Sequence, residues 1–405
     1  MDRMAPTMSF FGRCIKGAAF IILPFALYFL PSQSTEAQIT CTPPASGNNV
    51  CSFIPASTYA EFNGLEQTIR TQYLNELTKS MADASVLANI NSSMMGPGTV
   101  NRFQIGGGIS LGGVKKDDVN IQYSDISLPK FPNVGASINP GAMVGVNLGW
   151  LLGRGPSDQP DPSSDSSSQR SFLHRINIYA HGFQGRIGQG DLRKISNTAS
   201  DDLDVGGYIN SFGATIRFQI ARERYTRLDF FGFTGISLGI GFHRKWEEVT
   251  LRYHPSTADA IKVAFGPATG KWEQEVDFSY QSKVQSVPID IRTGVRLFYL
   301  LTIFAGAGIT SNSGYTKLNL HASGPLYLAL DPNASSLPPE LISQMNGNAG
   351  GTLSLRTGGS ANVRTQMNYL IGGFEINVLM FKILAEAVAT DDKVYSANVG
   401  VKFAL

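Results

Sequence analysis

The twelve residues from Val394 to Leu405 alternate so regularly that one structure suits them. Tyr395, Ala397, Val399, Val401, Phe403 and Leu405 are apolar, and Ser396, Asn398, Gly400, Lys402 and Ala404 fall between them. A period of two over this length fits a strand with one apolar and one wetter face, long enough to cross a bilayer when tilted. Asn398, Gly400, Phe403 and Leu405 also have the spacing of the C-terminal assembly signal of outer-membrane barrels. The competing structure for this segment alone is an amphipathic strand of a soluble sandwich.

Composition narrows the choice. Of 405 residues 43 are glycine, about 11% against a usual value near 7%, and charged residues make up 16%. Beyond the start of the chain no stretch reads as a membrane helix, which leaves a soluble protein or a barrel. A formal net charge of +2, without a basic block interleaved with aromatics, gives no support for nucleic-acid binding.

The start of the chain reads as an export signal. Arg3, Arg13 and Lys16 precede an apolar core from Gly17 to Leu30, and small residues follow, which places cleavage near Ala37 or Gln38. The core is short for a membrane anchor and Pro24 interrupts it; Cys41 lies far from the core and in poor company for lipidation. Removal of the signal takes Cys14 and leaves Cys41 and Cys51 in an oxidising compartment, where they are expected to pair. A ring of that size contributes roughly 3 kcal/mol on the chain-entropy estimate.

Four regions follow: a signal peptide over 1–37, a cysteine-containing lead segment over 38–56, a helical plug or periplasmic segment over 57–98, and an outer-membrane barrel over 99–405. In the third, Phe62, Leu65, Ile69, Tyr73, Leu77, Met81, Ala84 and Leu87 recur by threes and fours, with Glu61, Glu66, Arg70, Glu76 and Lys79 opposite. This amphipathic helix, or pair of helices, has the lumen, the barrel mouth, the periplasmic rim or the membrane surface as its resting place. Gly96, Pro97 and Gly98 end it.

The expected fold is all-β, a transmembrane antiparallel barrel of about 14 strands, with 12 as the alternative. Strands are expected over 102–114, 119–123, 142–152, 172–183, 205–220, 224–243, 287–299, from 303, 362–378, 381–390 and 394–405. The absence of a turn residue at Leu300–Leu301 leaves strand parity open there. In the strand ending at Leu152, Trp150 suits an interfacial girdle and marks one membrane surface. Charged residues on the wetter faces need water or a charged partner, which a polar lumen supplies; its expected lining includes Arg217, Arg227, Asp229, Asp290, Arg292, Arg296, Lys382 and Glu386. The polar stretch from Gly153 to Arg170 reads as disordered and is expected outside the cell; Gly324 to Gly351 reads as a second long loop.

Catalytic chemistry has little footing. Gly-Ile-Ser-Leu-Gly occurs at 108–112 and 235–239, matching the nucleophile-elbow pattern, but that motif needs a strand-to-helix turn and both copies sit in alternating strands. Five histidines show no metal-ligand spacing, and no phosphate-binding glycine loop precedes a helix. The reading is therefore of a protein that is not an enzyme, with no catalytic, metal or cofactor-binding residues.

The runs from Met95 to Tyr123 and from Leu128 to Gly153 resemble a family of leptospiral surface proteins described as extracellular-matrix adhesins. The resemblance implies a surface-exposed outer-membrane protein whose partners are outer-membrane lipid, the barrel-assembly machinery, and host laminin, fibronectin or plasminogen; it leaves the oligomeric state open. The chain is also similar in strand number and N-terminal plug to fatty-acid-type outer-membrane channels, which implies transport of small or hydrophobic solutes as the alternative.

Overall fold

Alternating residues make strands, and closing them into a ring leaves one face for lipid and one for whatever fills the middle. A computed structural model describes residues 38–405 apart from 46–48, 55, 101, 124–125, 128–129, 153–171, 189–202, 226–229, 255–260, 266–267 and 331–349. The expected signal peptide, Arg227, Asp229 and the stretch from Gly153 to Arg170 lie outside the described residues.

The long strands are β1 (Phe103–Lys115), β2 (Val134–Asn147), β3 (Ile176–Ile187), β4 (Leu203–Ala221), β5 (Phe231–Tyr253), β6 (Glu275–Leu297), β7 (Leu301–Leu330), β8 (Gly350–Asn362), β9 (Gln366–Val378), β10 (Phe381–Thr390) and β11 (Val394–Ala404). Each pairs antiparallel with the next in sequence from β1 to β7. β9 then pairs with the first part of β7, β10 with β9, β11 with β10, and β11 returns to β1, closing the barrel. The main sheet has 15 strand segments, beside the expected 14, but several prolong the same line of wall and the closed circuit is shorter. β8 and β9, for example, lie end to end along β7, β9 from Leu301 to Ser311 and β8 from Tyr315 to Tyr327.

The terminal segment is the closing strand. Val394, Ser396, Asn398, Gly400 and Lys402 are buried inward, and Tyr395, Val399 and Val401 are exposed outward. The same outward exposure of large apolar side chains recurs on Ile105, Ile109 and Leu111 of β1, Ile216 and Ile220 of β4, Ile289, Ile291 and Val295 of β6, and Leu370 and Phe374 of β9. A soluble protein rarely exposes so continuous an apolar band; around a barrel it is the lipid-facing surface. Among the described residues no helix is long and apolar enough to cross a membrane.

The two ends differ. At one, termed the turn end, β6 joins β7 through Phe298–Leu300 and β9 joins β10 through Leu379 and Met380; β1 begins and β11 finishes there. At the other, the tall end, β5 and β6 run 23 residues and β7 runs 30, where a spanning strand needs about 10. β10 and β11, with 10 and 11 residues, stop near the band while β5 to β8 continue beyond it. Against the tall wall packs a second apolar cluster of Val50, Ile54, Trp272, Ala322, Leu326 and Leu353. The lead segment joins it through the strand Gln38–Thr42, which pairs with β8, and Cys41 is disulfide-bonded to Cys51. Leu326 therefore belongs to β7 and a core, where the sequence suggested a loop from Gly324.

One local expectation needs correction and one open join is settled. The strand expected to end at Leu152 ends at Asn147, whose side-chain oxygen accepts from the N–H groups of Gly149 and Trp150 and caps a helical turn; Trp150 sits half-exposed on that turn, at the turn end. The unresolved join near Leu300 is a turn in which Phe298 and Tyr299 have φ of 49° and 58°, left-handed conformations normally held by Asn or Gly. Phe298 meets Phe230 edge to face, ring centroids 5.6 Å apart, a contact that offsets part of that cost. Finally, the connections after β2 and after β7 leave from opposite ends, since five strands, β3 to β7, separate them. The chain leaves Leu152 at the turn end and Leu330 at the tall end, and the stretches 153–171 and 331–349 that follow lie outside the described residues.

Candidate functional site

The interior is built from the N-terminal helices inward. Helix α1 (Ala56–Ile69) continues through a π-helical stretch, Arg70–Leu74, into α2 (Asn75–Asn91). Near the tall end Glu66 accepts from Thr357 at 2.7 Å and Tyr73 donates to the carbonyl of Pro132 at 3.2 Å. From there α2 descends inside the wall and the chain reaches β1 at the turn end. Every residue from Ala82 to Val100 is buried, so the lumen is filled by the chain's own helix and the segment that follows it.

The apolar stripe read from the sequence has a different fate from the one an amphipathic helix usually meets. Phe62 is exposed, whereas α2 is buried on all sides over its second half. Two features permit this. The wall offers glycine where the helix passes closest: a β-carbon on Gly112 would collide with the carbonyl of Ala84, and one on Gly135 with the backbone of Ser80. The small polar residues of α2 bond to inward side chains. Ser80 donates to Asn133 at 2.7 Å, Ser85 to Glu247 at 2.9 Å, and Asn91 to Ser396 at 3.1 Å, while Asn398 donates to the carbonyl of Asn91 at 2.9 Å.

Below the helix lies a chain of buried charges. Arg217 pairs with Asp290 at 2.6 Å, Asp290 with Arg292 at 3.2 Å, and Arg292 with Glu386 at 3.0 Å. Arg292 also donates to the carbonyl of Gly96 at 2.8 Å, clamping the turn that follows the plug. Gly98, with φ of 81°, passes so close to Arg217 that a β-carbon would stand 2.5 Å from its Nε. Beside this, Glu375 is held between Lys402 at 2.5 Å and Lys382 at 3.0 Å. Higher up, Lys245 and Glu247 pair at 2.7 Å, and at the top Asp83 of the plug meets Arg364 at 3.3 Å and Lys116 at 3.9 Å.

A helix threaded through a closed, lipid-facing wall is the arrangement into which the relationship falls. The model of the Lsa36-like family matches residues 34–405. The chain belongs to the Lsa36-like family. Lsa36 is a leptospiral surface adhesin, so the resemblance carried by Met95 to Gly153 extends over the whole barrel. No functionally curated protein matches the sequence. Among solved structures, the translocator domain of the autotransporter NalP from Neisseria meningitidis is 10% identical, with 75% of this chain and 88% of that one covered and a TM-score of 0.30. A Pseudomonas aeruginosa FadL homologue is 8% identical, with 91% and 100% covered and a TM-score of 0.25.

In this Lsa36-like barrel, Arg217, Asp290, Arg292 and Glu386 form one network and Lys382 sits at the edge of the second; Arg296 is half-buried at the turn end, lining a recess with Gln104, Phe298 and Asn377. Glu375, Lys245 and Glu247 escaped sequence reasoning, and Lys402 was placed only on the wetter face of its strand, although each occupies an inward position that the alternation of its strand marks. Of the assembly-signal residues, Asn398 and Gly400 point into the lumen against the plug, with Phe403 and Leu405 on the other parity. Ser110 and Ser237, from the repeated pentapeptide, lie within β1 and β5 and bond to Ser396 and Arg217.

Proposed function

We propose that the tall end faces the exterior and binds host extracellular-matrix or plasma proteins, making this an outer-membrane adhesin. The observation that supports the reading best is the pairing of a filled lumen with a wall that rises well past the apolar band at one end only. A barrel occupied by its own helix has its surface left to work with, and in outer-membrane barrels the short turns face the periplasm. Laminin, fibronectin and plasminogen are the ligands that family membership brings forward. Deleting 331–349 from the refolded full chain should abolish binding to immobilised laminin, fibronectin or plasminogen, and deleting 154–170 should leave it unchanged. Failure of the intact chain to bind any of them, or the reverse pattern of loss, would overturn the reading.

Solute passage is the second reading. Asp83 Oδ1, Asn89 Nδ2, Asn139 Oδ1 and Asn398 Oδ1, all buried along the plug, have no hydrogen-bond partner among the described residues, which leaves the helix less firmly held than full pairing would. In planar bilayers the intact chain should be silent and a chain lacking 57–94 should conduct. Steady conductance by the intact chain would favour transport over adhesion.

A further inference from the structure

On the outward face of the wall, just past the apolar band at the tall end, one row of side chains crosses five strands. Arg186 of β3 lies over the ring of Tyr208 of β4 at 5.4 Å, and Tyr208 meets Trp246 of β5 edge to face at 5.6 Å. Lys283 of β6 stands over Trp246 at 4.7 Å and 5.9 Å from the ring of Tyr315 of β7, which Lys317 approaches at 5.4 Å. The pairing of the strands makes this row. Arg186 is opposite Tyr208, Trp246 opposite Lys283, and Lys283 opposite Tyr315, while Tyr208, opposite Glu248, reaches Trp246 on the diagonal.

Two properties of the row point to a ligand. Among the described residues, no carboxylate lies in ion-pair range of Arg186, Lys283 or Lys317, so aromatic faces position these cations without neutralising them. Their height is the second property. On β6 Lys283 is two outward positions beyond Val287, the last exposed apolar residue of the band, about 13 Å along the strand. On β5 Trp246 is two outward positions beyond Phe242, which is half-buried. A strand tilted by about 40° rises about 10 Å over that length, from where long lysine and arginine side chains lean back to the phosphates of a lipid leaflet. The face is convex and turned toward the surrounding bilayer, which favours lipid over a soluble polyanion.

We infer that this row binds the phosphorylated headgroup of an outer-leaflet glycolipid. The inference rests on the outward placement of the tall end. Cations near an anionic lipid surface contribute about fivefold in affinity each, so removing two should cost roughly 25-fold. The test uses the full refolded chain in detergent, titrated with diphosphoryl lipid A and read by native mass spectrometry. Wild type and Lys283→Arg/Lys317→Arg should retain the lipid, and Lys283→Gln/Lys317→Gln should retain it roughly 25-fold more weakly, all three keeping the heat-modifiable gel shift of a folded barrel. Equal retention by the Gln variant overturns the proposal. So does a Gln variant that loses heparin oligosaccharide but holds lipid A, which would identify a sulfated-glycan site instead. Orientation is read separately by labelling Asn319→Cys in intact cells. Lack of labelling sinks the outward reading, and the affinity series still decides the phosphate chemistry.

Discussion

Arg292→Ala should destabilise the folded barrel by about 3–5 kcal/mol, the cost of leaving buried charges without their partner. Arg292 is only 2% exposed, Glu386 3% and Asp290 4%, so water offers neither carboxylate an alternative, and solvent screening is negligible. The substitution strands Glu386, weakens the hold on Asp290 and frees the carbonyl of Gly96. Urea-induced unfolding from phospholipid vesicles measures the loss. Arg292→Met with Glu386→Leu should recover most of it, because Asp290 keeps Arg217 at 2.6 Å and an apolar pair of similar volume replaces an ion pair at little cost. A single-variant loss below about 1 kcal/mol, the value of an exposed pair, would mean that the network is hydrated and the lumen open at this level.

Gly112→Leu should unseat the plug. Its β-carbon would meet the carbonyl of Ala84, a backbone atom that cannot turn aside, and overpacking costs about 1–3 kcal/mol even where side chains can adjust. The wall is fixed by ladder bonds to β2 and β11, so the helix is the part that gives. Protease cleavage within 57–94 and conductance in planar bilayers should both appear. Gly113→Leu is the matched control: among the described residues no atom lies within 4 Å of a β-carbon there, and a leucine facing lipid should change neither measurement. A plug that stays protected in Gly112→Leu would show that the wall yields first.

Much of this was legible in the sequence because alternation is a local property. Arg217, Asp290, Arg292 and Glu386 were assigned inward from parity alone, and parity does not depend on which strands are neighbours. Their partners were not legible: Asp290 is 73 residues from Arg217 and Arg292 is 94 from Glu386, and only barrel closure brings them together. Parity fails where the backbone adds a residue. Thr234 reads as outward with Ile236 and Leu238, yet it is buried and donates to the carbonyl of Gly294, because Gly235, with φ of 87°, sits at a bulge that reverses the faces. The β6–β7 turn was hidden for a related reason, since aromatic residues fill left-handed positions that the sequence would flag only with Asn or Gly.

By itself the sequence determined the class of the wall: period-two strands with an apolar outward face, inward charges and a glycine-rich interior, which only a barrel in a membrane satisfies. It also determined that a helix precedes the strands. The tertiary structure decided where that helix goes, which charges pair, and which loops share an end. The physical reason is the same for all three. Alternation fixes the face a side chain takes within its own strand, whereas lumen filling, ion pairing and loop placement depend on the number and register of strands between distant residues, and one bulge or one unflagged turn changes that count.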